Sequence, residues 1–139
     1  MKLSTYIFLL AIVFCTCNTK PDDNTIQVNA DDTTKLSDLR FLQRIAIFKG
    51  VPVDTLLVAK YSFINIGQND LFINDISPDC TCTGYYLSKK MVSPGDSAYI
   101  LLKYSTKDKF GESKVYATVS ANTLTRLYSL EIAATIKER

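Results

Sequence analysis

The sequence predicts an all-β domain, an antiparallel β-sandwich of about seven strands, preceded by a signal peptide and a flexible tether. Three observations lead to it. From Leu39 onward apolar residues recur with a period of two, clusters of turn-forming residues interrupt them, and no convincing helical period competes. One-sided alternation leaves each sheet with one wet face, as antiparallel sheets have. The chain is 139 residues long, 47% apolar and 22% charged. That suits one domain with appendages and is too apolar for a disordered chain.

Each element follows from local chemistry. Residues 41–48 are apolar-rich and are closed by Gly50 and Pro52. Residues 56–66 place Leu57, Ala59, Tyr61 and Phe63 on one face and Lys60, Ser62 and Ile64 on the other. Gly67 and Asn69 then supply a turn, because both tolerate positive φ. Residues 71–76 form the next strand, stopped by Ser77-Pro78-Asp79, and residues 81–87 form a short one. After the Ser93-Pro94-Gly95-Asp96 turn, Ala98, Ile100, Leu102 and Tyr104 alternate with Tyr99, Leu101 and Lys103. Val115, Ala117 and Val119 alternate with Lys114, Tyr116 and Thr118, and the last strand turns Leu130, Ile132, Ala134 and Ile136 inward. Leu36, Leu39 and Ile45 also lie near helical spacing, so a helix over residues 33–44 is the alternative for that stretch.

The amino terminus carries an address. Lys2 precedes an apolar run over residues 6–14, about half the length of a spanning helix, and small residues follow it. Phe14-Cys15-Thr16-Cys17 resembles a loose form of the box at which bacterial lipoproteins are cut before an acylated cysteine. Cys17 is the better acceptor, since small Thr16 precedes it, whereas bulky Phe14 precedes Cys15. Residues 1–16 therefore read as a lipoprotein signal peptide. Residues 17–38 read as the lipidated cysteine and a tether rich in Pro, Asp, Asn and Thr, and residues 39–139 as the sandwich. The acidic Asp22-Asp23 pair resembles tags that direct some lipoproteins to the outer leaflet of an outer membrane.

Composition removes several functions. With no histidine among the 139 residues, imidazole-based nucleophile pairs, most zinc sites and histidine pH switches are excluded. A formal charge of +2, without a long basic run, argues against nucleic acid as a partner. No cofactor is implied. The five glycines are scattered and make no phosphate-binding loop. Asp70, Asp75, Asp79 and Asp96 fall in turn regions, where carboxylates cap loops rather than face one another across a cleft.

The segment Tyr61-Ser62-Phe63-Ile64-Asn65-Ile66-Gly67 resembles the F-x-F-x-N-x-G motif of a bacterial family of unknown function. Leu71-Phe72-Ile73 stands for its L-x-I, Cys80-Thr81-Cys82-Thr83 for its C-G-C-T, and Pro94-Gly95 with Tyr104 for its P-G turn and following strand. Gly111, Val115 to Val119, Asn122 and the strand over 130–136 complete the order, so the resemblance covers residues 55–137. Two departures stand out: Thr81 replaces the glycine between the cysteines, and Tyr61 the first phenylalanine. The resemblance implies an immunoglobulin-like fold of the kind found in the hydin and major sperm protein modules, which serve as protein-binding adaptors. It also implies an envelope lipoprotein.

Two groups of residues are candidates for function. Cys80 and Cys82, at i and i+2, would lie about 6.5–7 Å apart between α-carbons in an extended strand, near the limit for a disulfide. A bend at Pro78-Asp79 would bring them closer. A reducible disulfide, a Cu(I) site and two inert thiols all remain open. Tyr85, Tyr86, Tyr99 and Tyr116 fall on outward or loop positions and form either a binding surface or cross-strand pairs. The expectation is thus a non-catalytic, lipid-anchored envelope protein, most simply at the outer membrane. Its sheet face or edge strand would bind another envelope protein or a glycan. The alternative is a thiol redox or Cu(I)-handling module acting through Cys80 and Cys82.

Overall fold

A computed structural model of the chain describes residues 35–137. The signal peptide, Cys15, the proposed acylation site Cys17 and the tether up to residue 34 lie outside the described residues. The described residues form nine strands: β1 (Leu39–Phe41), β2 (Ile45–Val51), β3 (Leu56–Asn65), β4 (Leu71–Pro78), β5 (Thr83–Leu87), β6 (Met91–Val92), β7 (Ser97–Ser105), β8 (Gly111–Ala121) and β9 (Leu127–Ile136). They build a four-stranded sheet in the order β1-β3-β7-β5 and a five-stranded sheet in the order β2-β9-β8-β4-β6.

The inward positions read from the alternation are the ones that pack. Leu57, Ala59, Tyr61 and Phe63 of β3 are buried, as are Ala98, Ile100, Leu102 and Tyr104 of β7. From the other sheet come Val115, Ala117 and Val119 of β8 and Leu130, Ile132, Ala134 and Ile136 of β9. Each large aliphatic side chain so enclosed contributes about 1.5–3 kcal/mol. Tyr61 lies opposite Ile100 and Phe63 opposite Ala98 across the β3–β7 ladder. A one-residue slip there would expose the whole row, and this fixes the register.

Several details differ from the sequence reading. The apolar stretch over 41–48 is not one strand. It breaks at Leu42–Arg44 into β1, an edge of one sheet, and β2, an edge of the other. A chain that switches sheets without reversing keeps its direction, so β2 runs parallel to β9, and the remaining ladders are antiparallel. Alternation encodes faces but not strand direction. The two-residue β6 is too short to announce itself by pattern. The short strand read over 81–87 begins at Thr83 rather than Thr81, because Asp79–Cys82 is a turn. Residues 39–41, within the alternative helix, are strand. Lys35 to Asp38, read as the end of the tether, are bonded to the sandwich, with Ser37 bridging to Thr123.

Candidate interaction surface

The motif residues come first, because they build the scaffold. Asn65 closes β3 on its inward face with no exposed surface. Its Nδ2 donates to the Val92 and Asn69 carbonyls, each at 2.8 Å, and its Oδ1 accepts from Gly67 N–H at 2.9 Å. Ser37 Oγ stands 2.7 Å from the same Oδ1 and 2.8 Å from the Asn69 carbonyl, with one proton to give. The Asn65 backbone donates to the Asp96 carbonyl at 3.0 Å and accepts from Gly95 N–H at 2.9 Å. One residue thus ties together the 66–70 turn, the 93–96 turn and the incoming segment at Ser37. Gly67 is required by space: a Cβ there would run into Ser37 Oγ and the Asp38 backbone nitrogen. Gly95 is required by conformation, with φ of 81°. Asn122, just past the end of β8, repeats the device. Its Oδ1 accepts from Phe72 N–H at 2.7 Å, and its Nδ2 donates to the Asp70 carbonyl at 3.0 Å and the Lys35 carbonyl at 3.1 Å. The N-x-G signature and the late asparagine therefore hold one pole of the sandwich together.

Tyr61, the departure from phenylalanine, is also structural. Its hydroxyl donates to the Glu131 carbonyl at 2.6 Å, bridging the two sheets. Burial, and secondarily the charge of Glu131, hold the phenol well above its ordinary ionisation range.

The four tyrosines singled out from the sequence do not form one surface. Tyr116 projects from β8 on the outside of the five-stranded sheet, opposite Glu131. Tyr85 lies opposite Leu102, on the inward parity, yet is half exposed because β5 is an edge. It lines a cavity of about 170 Å³ between β4 and β5, with Ile73, Asp75, Leu87 and Lys90. Tyr86 and Tyr99 do come together, their ring centroids 6.3 Å apart, on the outside of the four-stranded sheet. Lys60 Nζ sits 4.4 Å above the Tyr99 ring.

That outer face has a consistent chemistry. The cross-strand registers align Lys60, Leu101 and Tyr86 in one row, and Val58, Lys103 and Gly84 in the next. Arg40 lies opposite Ile64 at the β1 edge. The outward positions of β1, β3, β5 and β7 thus carry three cations (Arg40, Lys60 and Lys103) and no carboxylate. Leu56 and Val58 are exposed among them, 60% and 48% respectively. The strands of the opposite sheet carry charges of both signs, and there Lys114 pairs with Glu131 at 3.6 Å. Arg40, Lys60 and Lys103 were not singled out from the sequence. Each looks like an ordinary solvated lysine or arginine until the register sets them side by side.

The cysteines lie in the turn between β4 and β5, with α-carbons 5.1 Å apart and their sulfurs bonded. The turn removes the distance problem that an extended strand poses. Thr83 N–H donates to the Cys80 carbonyl and Ser105 N–H to the Cys82 carbonyl, both at 3.0 Å, so the bridge pins the start of β5 against β7. Bonded sulfurs offer no thiolate to a metal, and among the described residues no three acidic or thiol side chains converge as a metal site. A second depression of about 490 Å³ is lined by Gln43, Arg44, Ile45, Ser129 and Glu131 beside the edge strand β2.

Three of the four edges are poor docking sites. β1 and β6 are three and two residues long. β2 is irregular between Phe48 and Val51, where Gly50 adopts φ of 64° and Pro52 follows. Short strands, bulges and prolines are the devices that discourage edge pairing.

Comparisons with known proteins agree with the architecture. A protein of unknown function from Porphyromonas gingivalis W83 superposes with a TM-score of 0.65 at 9% identity, over 74% of this chain and 48% of that one. The chain thus spans about half the length of that protein. The PapD-like domain 7 of human CEP192 superposes with a TM-score of 0.53 at 9% identity, over 76% of this chain and 89% of that domain. The secreted serine protease VesC from Vibrio cholerae gives 0.53 at 12% identity, over 76% of this chain but 24% of the protease. At these identities the likeness concerns the fold, an immunoglobulin-like or PapD-like sandwich. No curated protein matches the chain. With its motifs in place from Tyr61 to the last strand and a family model matching residues 39–136, the chain belongs to the family described as protein of unknown function DUF1573.

Proposed function

We propose that this protein is a lipid-anchored component of the cell envelope, most simply at an outer membrane, whose sandwich is a non-catalytic binding module working through the outer face of its four-stranded sheet. The observation that carries the reading is the composition of that face: Lys60 stacked on Tyr99, Tyr86 beside it, Arg40 and Lys103 nearby, and no acid on the same strands. Tyrosine and arginine are favoured at recognition surfaces. The anchor is supported by the signal-like run and Cys17, and the adaptor role by the fold.

Site-directed crosslinking in the native envelope tests this. A photoreactive residue at Leu101 should give a discrete adduct, and one at Tyr116 on the opposite sheet should not. The reverse pattern would remove the face assignment. Cys17→Ser should release the protein from the membrane fraction and abolish its acyl mass.

A second reading, a thiol redox module, is favoured by one observation, the bond between Cys80 and Cys82. The double variant C80S/C82S separates the two. A binding module keeps its adduct from Leu101, whereas a redox module loses its activity.

A further inference from the structure

We infer that the outer face of the four-stranded sheet binds an acidic polysaccharide, with sugar rings seated on Tyr86 and Tyr99 and carboxylates on Lys60, Lys103 and Arg40. The inference rests on the preceding assignment of this face as the working surface and adds the chemistry of the ligand.

Four features point to such a ligand. The charge is one-sided: outward positions on β1, β3, β5 and β7 hold three cations and no anion. Any partner must therefore bring negative charge or leave these groups uncompensated. Aromatic and cationic groups also interleave rather than segregate. Rows along the strands repeat at ~7 Å and strands at ~4.8 Å, a lattice on the scale of a sugar chain. Gly84 meets nothing within 4 Å where a Cβ would stand, so the face is open between Lys103 and Tyr86, where a ring can lie flat. Finally, Tyr99 and Leu101 are half-buried against the sheet, so the surface is a platform and not a wedge. A platform suits a polymer laid across it. Seating in a bilayer needs apolar groups buried 5–10 Å below the headgroups, on the order of a full side-chain length. Three cations also fall short of the six or more, roughly, with which proteins neutralise nucleic acid phosphates.

The test is affinity electrophoresis of the full chain in neutral detergent, through gels containing polygalacturonate, with dextran as the uncharged comparison. Polygalacturonate should retard the protein and dextran should not, and the effect should weaken as salt is raised. The double variant K60Q/K103Q should lose about tenfold in apparent affinity, as expected for two exposed charge contacts. Tyr86→Ala should lose several-fold, and Tyr116→Ala should behave as the parent. Circular dichroism melts confirm that the variants fold. Should K60Q/K103Q melt early, R40Q with Tyr86→Ala makes the same comparison. The inference is overturned by equal retardation in dextran, by no retardation in either gel, or by variants indistinguishable from the parent. Tighter association with phosphatidylglycerol vesicles or with polyglutamate than with polygalacturonate overturns it too. Failure to bind polygalacturonate while the Leu101 crosslink persists refutes the ligand and leaves the surface standing. Loss of both refutes both.

Discussion

Truncating Asn65 to alanine separates a structural reading of the family motif from a functional one. The parent side chain uses its full hydrogen-bonding capacity with no exposed surface. After truncation Ser37 Oγ still has the Asn69 carbonyl at 2.8 Å, so that hydroxyl and that carbonyl satisfy each other. Gly67 N–H is left without its acceptor, and the Val92 carbonyl keeps only its place in the β4–β6 ladder. A buried polar group left unpaired costs about 1–3 kcal/mol. With about 1 kcal/mol more for the bond that Val92 loses, the penalty is about 3 kcal/mol, with a small addition for the vacated volume. Against a total stability of roughly 5–15 kcal/mol this is severe. For a domain of this size it lowers Tm by on the order of 12–24 °C. Asn65→Asp sharpens the test. A carboxylate would aim its second oxygen at two carbonyls, so burial and repulsion both favour its protonated form and raise its folded pKa. The extra proton held by the folded state means that the deficit of N65D shrinks as pH falls, while the deficit of N65A stays flat. Urea unfolding followed by circular dichroism and tyrosine fluorescence gives both numbers, since the chain has no tryptophan. A loss below about 1 kcal/mol for N65A would refute the staple and return the motif to the list of binding candidates.

Gly67→Ala should destabilise by about 2–3 kcal/mol through overpacking. Adding Ser37→Gly should not rescue it, because the Asp38 backbone nitrogen still stands 2.5 Å from the new Cβ. Tyr61→Phe removes the bond to the Glu131 carbonyl and should cost about 1 kcal/mol at neutral pH. The phenol's folded pKa is raised, so its contribution is fully present below the unfolded value of about 10 and is lost as pH climbs through the folded value. Parent and Y61F stabilities should therefore converge only above about pH 10, which urea midpoints across that range will show. For C80S/C82S the bridged loop is so short that the chain-entropy contribution is about 1.5 kcal/mol, measurable as a modest shift in urea midpoint. Alkylation of the denatured parent without reductant should leave both cysteines unlabelled by intact mass.

The sequence was most informative where burial follows parity. Alternation alone picks out the buried rows of β3, β7, β8 and β9, because in a two-layer sandwich each strand has one dry face, which is filled mainly by apolar side chains. It was silent where position depends on partners distant in sequence. Strand direction leaves no mark on parity, hence the parallel pairing of β2 with β9. Ser37 reads as tether because nothing local distinguishes a serine that will meet Asn65, 28 residues later, from one in solvent. The tyrosines were recognisable as outward or loop residues one by one, but grouping Tyr86 with Tyr99 and excluding Tyr116 needed the cross-strand register. Cys82 reads as part of a strand over 81–87 because the β-branched threonines beside it favour one, whereas the chain stays in β4 through Pro78 and turns over Asp79–Cys82.

Strand β3 shows how the family's fold and the proposed binding face can share one strand without conflict. Its odd positions, from Leu57 to Asn65, face inward and end in the staple, while its even positions, among them Lys60, face out and meet Tyr99. Because the two sets point to opposite sides of one sheet, a change at Lys60 touches no core contact, and such surface changes usually alter stability by less than about 0.5 kcal/mol. A change at Asn65 removes no group from the outer face. The two perturbations should therefore divide cleanly. N65A should lower Tm yet bind polygalacturonate as the parent does well below that Tm, and K60Q should weaken binding without moving Tm. A double variant should show both losses at full size, with no coupling beyond roughly 0.5 kcal/mol. Coupling well above that figure would mean that Lys60 also supports the fold, and the separation of scaffold from surface along this strand would be wrong.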